Sequence, residues 1–310
     1  MIREIRIPVD HGNRNIKTTS LIFTTGLNVL DKKPGRGEEY LRYEGKYYTL
    51  SEKRIPYQRD KTKDFRFFIL TLFAIAKEIH QQKQILSEDV VQVQLPIGLP
   101  PKHFAELYEK YEEFFQGNGQ VQELDYCGTK YHVVIQDTMA FPQDFAAMVT
   151  RLEKLTKIPK VVGIDIGGFT ANYLLMRMGS PDIDYCDSLE MGIITMYNQI
   201  ISDINSEYDV LLEEADIDSI VKGNTQYYDK AIVMAVEDKV QAFVIDLLHS
   251  IRERGIDTKT SYVVFIGGGA VLLKRFIEKT DRLGQYMFIE NLRANAEGYG
   301  ILYQMTKTKE

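Results

Sequence analysis

The stretch Val161–Asn172 reads VVGIDIGGFTAN. An apolar, β-branched run ends at Asp165, and Gly167 and Gly168 follow almost at once. Glycines after a strand let the backbone turn tightly and point several N–H groups at one place, a geometry that binds phosphate. The carboxylate of Asp165 would repel phosphate unless a cation lay between them. The stretch therefore predicts a hairpin that binds phosphate together with Mg²⁺, largely through metal-bound water.

The same pattern occurs near the start of the chain, where VDHGNRNIKT begins at Val9. Asp10 again stands at a predicted strand end, 155 residues before Asp165. One copy alone also fits an ordinary hairpin turn, but two copies at domain-sized spacing indicate two similar domains. Asp10 and Asp165 are the predicted metal-binding carboxylates. The residues of the first copy predicted to bind the nucleotide phosphates are Asp10, Gly12, Asn13, Asn15 and Lys17.

A third glycine turn lies in VVFIGGGAVLLKRF, where a predicted strand enters Gly267–Gly269 and a helix is predicted to leave at Ala270. Close approach of this backbone to a nucleoside or phosphate is one interpretation, because glycine has no Cβ to block it. Tight packing of the strand against the helix is the other.

Strand and helix patterns alternate along the chain, which predicts the α/β class. A plausible domain boundary lies at KIPK, residues 157–160. Predicted strands include Ile5–Asp10, Tyr131–Gln136 and Tyr262–Ile266, and Val90–Pro101 is predicted as a strand that runs into a proline-rich turn. Predicted helices include Phe65–His80, His103–Phe115, Asp144–Leu155, Gly192–Asn205 and Lys230–Arg254.

Composition excludes several classes of protein. The 310 residues carry a net charge of −6, which argues against nucleic-acid binding by the whole molecule. Cys127 and Cys186 lack the spacing of a zinc site and are predicted to be buried, reduced thiols. The first residues, MIREIRIPVD, have no apolar segment typical of a signal peptide, and no run is long enough to span a bilayer, so a cytoplasmic protein is expected. A local basic patch is left open, diluted by acidic neighbours: Arg54, Arg59, Lys61, Lys63 and Arg66.

The order and spacing of the two Asp-x-Gly hairpins and the Gly-Gly-Gly turn resemble the actin-like ATPase superfamily, over nearly the whole chain. The resemblance implies a two-domain actin-like ATPase fold of duplicated ribonuclease H-like domains, with nucleotide in the interdomain cleft. It implies a first domain of 1–158, completed by a C-terminal segment of about 291–310, and a second of 159–290. The residues it assigns to nucleotide binding in the second domain are Asp165, Gly167, Gly168, Phe169, Thr170, Gly267, Gly268 and Gly269.

Finer features are similar to the ParM-like plasmid-segregation actins. These are DHGNRNIK, the segment 59–79, LPIGLPP at 95–101, FIGGGAVLL and NAEGYGILY at 295–303. Phe169 departs from the pattern, because a small or hydroxyl residue is usual there. The resemblance implies an ATPase that polymerises with itself and moves a plasmid through an adaptor protein bound to centromere-like DNA, without touching nucleic acid or membrane itself.

Two other functions are left open, a sugar-type kinase and an actin-like scaffold that binds nucleotide without hydrolysing it. A kinase needs a substrate pocket and an aspartate beside the acceptor hydroxyl, and no sugar-binding signature precedes the second hairpin. GTP is also left open beside ATP.

Hydrolysis needs a side chain that orients the attacking water. The superfamily places a Gln or Glu at the end of a strand shortly before the second hairpin. In YHVVIQDTMAF the resemblance assigns this role to Gln136, with Asp137 as the alternative and Asp165 as the third catalytic residue. An amide is a poor base, so slow turnover is expected.

Overall fold

The structure is a computed structural model that describes residues 1–82 and 84–308. The chain forms two compact units, each with its own apolar core. One comprises Met1–Thr150 and the described part of Arg293–Glu310, and the other comprises Arg151–Leu292. The sequence predicts domain boundaries after residues 158 and 290, and the units divide after residues 150 and 292. The α/β class is confirmed.

The first unit contains a mixed seven-stranded sheet in the order β1-β8-β10-β9-β6-β7-β5, and a small antiparallel sheet in the order β2-β3-β4. Strands β1, β8 and β10 are parallel, and the other pairs are antiparallel. The strands are β1 Ile2–Arg6, β2 Asp10–His11, β3 Asn15–Lys17, β4 Ile22–Thr24, β5 Leu27–Leu30, β6 Leu41–Tyr43, β7 Lys46–Leu50, β8 Val90–Leu99, β9 Gln122–Tyr126 and β10 Thr129–Pro142.

Strand β1 leads directly into the first hairpin despite Pro8. The N–H groups of Ile7 and Val9 donate to carbonyls of β8 at 3.0 and 2.9 Å. The nitrogen of Pro8 therefore faces away from β8, on the open side of an edge strand, where its missing N–H costs no ladder bond. The chain then enters β2 at Asp10.

The helices of the first unit cover its sheet. Nearly all of α1 is buried, which explains its almost continuous apolar sequence. The predictions for α1 and α2 are confirmed, but the predicted helix Asp144–Leu155 is wrong. It is two short helices, because the Thr150 hydroxyl donates to a carbonyl one turn back and Arg151 has non-helical dihedrals. The helices are α1 Arg66–Gln81, α2 Pro101–Gln116, α3 Phe145–Val149 and α9 Ala294–Lys307, with a 3₁₀ turn at Lys61–Lys63.

The second unit is a five-stranded sheet in the order β13-β12-β11-β14-β15, with β11 at its centre. The predictions for α5 and α7 are confirmed. Helix α8 begins at Gly267, so the prediction that it leaves at Ala270 is wrong by one turn. The elements are β11 Lys160–Ile166, β12 Ala171–Arg177, β13 Ser180–Leu189, β14 Tyr262–Ile266, β15 Tyr286–Ile289, α4 Leu152–Leu155, α5 Ile193–Tyr208, α6 Glu214–Val221, α7 Lys230–Glu253 and α8 Gly267–Ile277.

The cysteines and the basic residues differ from the sequence predictions in their exposure. The predicted burial of the cysteines is wrong, because Cys127 is exposed in the β9–β10 turn and Cys186 is half-buried. Neither forms a disulfide. The basic residues do not form a continuous surface, because Lys61 is buried and Arg66 pairs with Asp64 at 2.6 Å. Within the described residues no helix combines the length and the apolar character that crossing a bilayer requires.

Helix α9 returns the end of the chain to the first unit through close backbone contact. A Cβ added to Gly298 would lie 1.8 Å from the carbonyl oxygen of Ala146, and one added to Gly98 would lie 2.0 Å from the Tyr299 ring. Both glycines are therefore required by packing, because any side chain would separate α9 from α3 and β8.

We expect Gly298→Ala to destabilise the protein by about 2 kcal/mol or more, because the backbone of Ala146 cannot move away without disrupting α3. Gly300→Ala is the matched control. Its Cβ would lie 3.2 Å from the Pro8 ring, and alanine favours a helix over glycine by about 1 kcal/mol. Urea unfolding midpoints of the two variants measure the difference, and equal midpoints would contradict the close approach.

Candidate functional site

The first hairpin buries Asp10 beneath Lys17. The two residues are directly opposite in the β2–β3 register, and Lys17 Nζ lies 3.1 Å from Asp10 Oδ2. Gln143 Nε2 donates to the other oxygen, Oδ1, at 3.2 Å. Asp10 is 2% exposed, and each of its carboxylate oxygens has a side-chain donor. Lys17, at the end of β3, is the more accessible of the two: its side chain is 18% exposed and that of Asp10 is 3% exposed.

The turn of this hairpin is closed by backbone contacts. A Cβ on Gly12 would lie 2.6 Å from the Asn15 carbonyl oxygen, and the Thr25 hydroxyl donates to the Gly12 carbonyl at 2.7 Å. Glycine is therefore needed at position 12 by the turn itself. Asn15 starts β3 opposite Thr24. The buried Oδ1 of Asn13 has no hydrogen-bond partner among the described residues, which leaves one acceptor available in the turn.

His11 anchors the hairpin in the core. Its Nε2 lies 2.7 Å from Thr71 Oγ1, and its ring stacks on Phe115 at 4.2 Å. Because the Thr71 hydroxyl donates to the Phe67 carbonyl, Nε2 carries the proton and donates to Thr71. Burial, with a smaller effect from the positive charge of Lys61, holds the pKa of His11 well below its usual value. His11 is therefore a neutral core side chain that fixes the hairpin to α1 and α2.

The second hairpin is held from behind by α5. The Gly167 N–H donates across the turn to the Thr170 carbonyl at 2.8 Å, while the first two N–H groups of α5 donate to the carbonyls of Gly167 and Gly168 at 3.1 and 2.7 Å. A Cβ on Gly192 would lie 2.4 Å from the Gly168 oxygen and from the Phe169 carbonyl carbon. Gly192 therefore lets α5 fix the turn carbonyls, and it is a residue that the sequence analysis missed.

Asp165 is packed against the backbone of Gly267. A Cβ on Gly267 would lie 2.2 Å from Asp165 Oδ1, and Gly267 has a φ of +88°. Both the carboxylate and the dihedral therefore require glycine at this position. Asp165 is 9% exposed and stands opposite Asn172, whose side-chain oxygen accepts from Ser188 at 2.7 Å.

The three glycines at the start of α8 have different roles. Gly269 is required by packing, since its Cβ would lie 2.6 Å from Ile166. Gly268 is exposed, has no positive φ, and its Cβ would meet only Leu292, at an ordinary 3.7 Å. Neither packing nor dihedral explains Gly268, so the packing interpretation holds for two of the three residues.

Gln136 does not end its strand. Strand β10 continues to Pro142, and its register with β8 shifts between Ile135 and Asp137, so Gln136 is the extra residue of a β-bulge. Gln136 is exposed, and Asp137 accepts from the Tyr303 hydroxyl at 2.6 Å and pairs with Lys307 at 3.3 Å, both on α9. The predicted strand end is therefore wrong, and the catalytic roles of Gln136 and Asp137 stay predictions.

The strand end that follows the bulge carries Gln143, 8% exposed and bound to Asp10. It is held by a γ-turn with positive φ, in which the Phe145 N–H donates to the Gln143 carbonyl at 2.5 Å and Asp144 has a φ of +61°. Such turns are rare and strained. Asn295 of α9 accepts from the Asp144 N–H at 3.1 Å, so the C-terminal helix supports this geometry. The apolar run Met139–Phe141 is the sequence signal that extends the strand to this point.

The metal-binding roles of Asp10 and Asp165 stay predictions. The described part of the chain contains no group of three or more His, Cys, Asp and Glu side chains that could hold a metal ion. Asp10 and Asp165 are buried carboxylates that lie in different units.

Family models match both units of the chain. Residues 8–145 match the N-terminal domain of actin-like proteins, and residues 163–279 match the C-terminal domain of the archaeal MreB-like actin homologues. The chain belongs to the actin-like proteins. No curated protein matches this actin-like protein in sequence.

Solved structures agree with this assignment in fold. A 15-stranded ParM filament from Clostridium botulinum superposes with a TM-score of 0.77 at 14% identity, over 98% of this chain and 99% of that one. An archaeal actin homologue in complex with ADP gives 0.73 at 16% identity, over 97% and 99%. The Bacillus thuringiensis ParM with ATP gives 0.65 at 11% identity, over 97% and 98%. The resemblance to ParM-like actins and the actin-like fold are confirmed.

Proposed function

We propose that this actin-like protein binds Mg·ATP, assembles into filaments and hydrolyses the nucleotide. The observation that carries the proposal is that each unit supplies one Asp-Gly hairpin with a buried carboxylate and a turn held by backbone hydrogen bonds. The relatives add support, because one is a filament and two were solved with ADP or ATP. We further propose that it acts in the cytoplasm and moves plasmid DNA through an adaptor bound to a centromere-like site.

Nucleotide contacts in the first unit would begin with Lys17. Its ammonium group pairs with Asp10 without nucleotide and would turn toward phosphate when nucleotide binds. The turns at Gly12 and at Gly167–Thr170 would supply N–H donors. The free Oδ1 of Asn13 would accept from metal-bound water or from a nucleotide hydroxyl. Mg²⁺, when bound with the nucleotide, would neutralise phosphate charge.

Hydrolysis would depend on a side-chain amide near the first hairpin. We propose Gln143 for this role beside the earlier candidate Gln136, because Gln143 follows the true strand end and already contacts Asp10. Its amide would orient the attacking water. Since an amide is not an effective base, the expected turnover is slow.

Gly268 supplies a prediction that separates nucleotide binding from folding. We expect Gly268→Val to leave the circular dichroism spectrum unchanged, because its Cβ has room, and to weaken ATP binding by about tenfold or more, because a side chain there would block close approach of the nucleotide. Titration with a fluorescent ATP analogue measures the affinity. The matched variant Gly269→Ala should instead lower stability. Unchanged affinity in Gly268→Val would mean that the nucleotide does not approach this turn.

Light scattering and pelleting, run with phosphate release on the same samples, test the proposed function. Wild-type protein should pellet with Mg·ATP, release phosphate and disassemble as ATP is consumed, and parallel samples with GTP determine the preferred nucleotide. Polymer without phosphate release would indicate a scaffold. Phosphate transfer that requires an added sugar, with no polymer, would indicate a kinase and refute the proposal.

A further inference from the structure

The γ-turn after β10 holds an aspartate in a conformation that a residue with a Cβ rarely adopts. Asp144, at the centre of the turn, has a φ of +61° and a ψ of −59°, and it is fully buried. A residue other than glycine keeps such dihedrals only where the surrounding structure enforces them. The turn therefore depends on contacts from its neighbours.

Three elements supply those contacts. The Asp144 carbonyl accepts from the Met148 N–H of α3 at 2.9 Å, and the Gln143 N–H donates to the Leu99 carbonyl of β8 at 2.8 Å. The Asp144 N–H donates to the side-chain oxygen of Asn295 on α9 at 3.1 Å. Of these three bonds, the last is made by a side chain, so a substitution can remove it without changing the backbone.

The position of Asn295 in α9 is explained by this bond. Asn295 is the second residue of α9 and is only 6% exposed. Asparagine is unfavourable within a helix, and a buried amide is costly unless it is hydrogen-bonded. Helix α9 cannot shift away from the turn, because the close approach of Gly298 to Ala146 fixes it against α3. Asn295 is therefore a rigid acceptor for the Asp144 N–H.

The γ-turn also determines the direction of the Gln143 side chain. The Gln143 carbonyl accepts from the Phe145 N–H at 2.5 Å, and its Nε2 donates to Asp10 at 3.2 Å. Strand β10 and helix α3 fix the chain on either side of the turn. Because of these fixed ends, relaxation of the Asp144 dihedrals would rotate the peptide between Gln143 and Asp144 and turn the Gln143 amide away from Asp10.

We infer that Asn295 is a positioning residue of the hydrolytic site, which holds the γ-turn that directs Gln143 toward Asp10. The inference rests on the proposed function, in which Gln143 orients the attacking water, and it makes the C-terminal helix part of that geometry. Asn295 affects the rate of hydrolysis rather than nucleotide affinity, since the phosphate contacts proposed for this unit come from Lys17 and the turn at Gly12.

Amide hydrogen exchange without nucleotide tests whether Asn295 holds the turn. Asn295→Ala should speed exchange of the Phe145 amide about tenfold or more, because the turn opens. Adding Asp144→Gly should restore slow exchange, since glycine adopts a positive φ freely. Adding Asp144→Ala, which removes the same carboxylate but keeps a Cβ, should not restore it. Unchanged exchange in Asn295→Ala, or equal effects of the two additions, would overturn the inference.

Phosphate release and ATP affinity, measured on the same variants, test the positioning role. Asn295→Ala should slow phosphate release about tenfold, with a dissociation constant for Mg·ATP within about twofold of wild type. Adding Asp144→Gly should recover most of the rate, and adding Asp144→Ala should not. In protein that already carries Gln143→Ala, Asn295→Ala should slow release no further, because its effect passes through Gln143. Additive losses would indicate a merely structural residue and overturn the positioning role.

The two measurements distinguish failure of this inference from failure of the proposed function. If wild-type protein releases no phosphate, or Gln143→Ala releases it at the wild-type rate, the proposed role of Gln143 fails and the positioning role fails with it. Hydrogen exchange still decides in that case whether Asn295 holds the turn. Normal phosphate release in Asn295→Ala, with fast exchange of the Phe145 amide, would overturn the positioning role alone.

Discussion

Asp165→Ala is expected to reduce Mg·ATP turnover by about 100-fold or more while the protein remains folded. The Asp165 carboxylate carries the negative charge of the second hairpin. The first N–H groups of α5 bind the carbonyls of the adjacent turn, and these bonds hold the surroundings of Asp165 rigid. Removal of one such preorganised charge costs catalysis on this scale. Asp165→Asn should show a similar loss, because it keeps the shape and removes the charge.

The controls separate the carboxylate from its neighbours. Gly267→Ala should mimic Asp165→Ala, since its Cβ would lie 2.2 Å from Oδ1 and would displace the carboxylate. Asp184→Ala, an exposed carboxylate on β13 of the same sheet, should hydrolyse ATP at the wild-type rate. Asp10→Ala should lose turnover as Asp165→Ala does. If both aspartate variants retained wild-type phosphate release, the two-hairpin mechanism would be wrong.

The two hairpins could be predicted from the sequence because their pattern involves only neighbouring residues. The pattern of a β-branched run that ends in aspartate and is followed by glycine arises from interactions between residues close together in the chain. It can therefore be recognised in a single sequence. The long helices α1, α5 and α7 were predictable for the same reason, because one helical face repeats within a few residues. The requirement for glycine at position 192 could not be predicted, because it arises from contact with a turn more than twenty residues earlier.

Non-local contacts explain what the sequence could not predict. The bulge at Gln136 exists only in the register between β10 and β8, which are separated by about thirty residues of chain. A polar pair such as Gln136–Asp137 is typical of a strand end when viewed alone. Lys61 is a second example, since five basic residues in one segment indicate a solvated surface, and only the folded structure shows that Lys61 is buried.

Gln136 in β10 and Gln143, the residue that follows β10, allow a direct test of the water-orienting role. Gln143→Ala should slow phosphate release about 10- to 1000-fold, the range expected for loss of one transition-state contact. Asp10 keeps Lys17 as a partner until nucleotide binds, and the phosphate contacts of the hairpin are unchanged, so ATP binding should change little. If filaments disassemble after hydrolysis, the polymers formed by Gln143→Ala should persist longer in the pelleting assay.

Gln136→Ala is the matched variant, because it removes the same amide from an exposed bulge whose only described contact uses the Gln136 backbone carbonyl. We expect it to hydrolyse ATP at nearly the wild-type rate. Gln143→Glu adds a third measurement, because a carboxylate is a better base than an amide but would place a second negative charge beside Asp10. Loss of turnover in Gln136→Ala with normal turnover in Gln143→Ala would return the role to the bulge. Loss of ATP binding in Gln143→Ala would instead mean that its amide serves to hold Asp10, and that the water is oriented by another group.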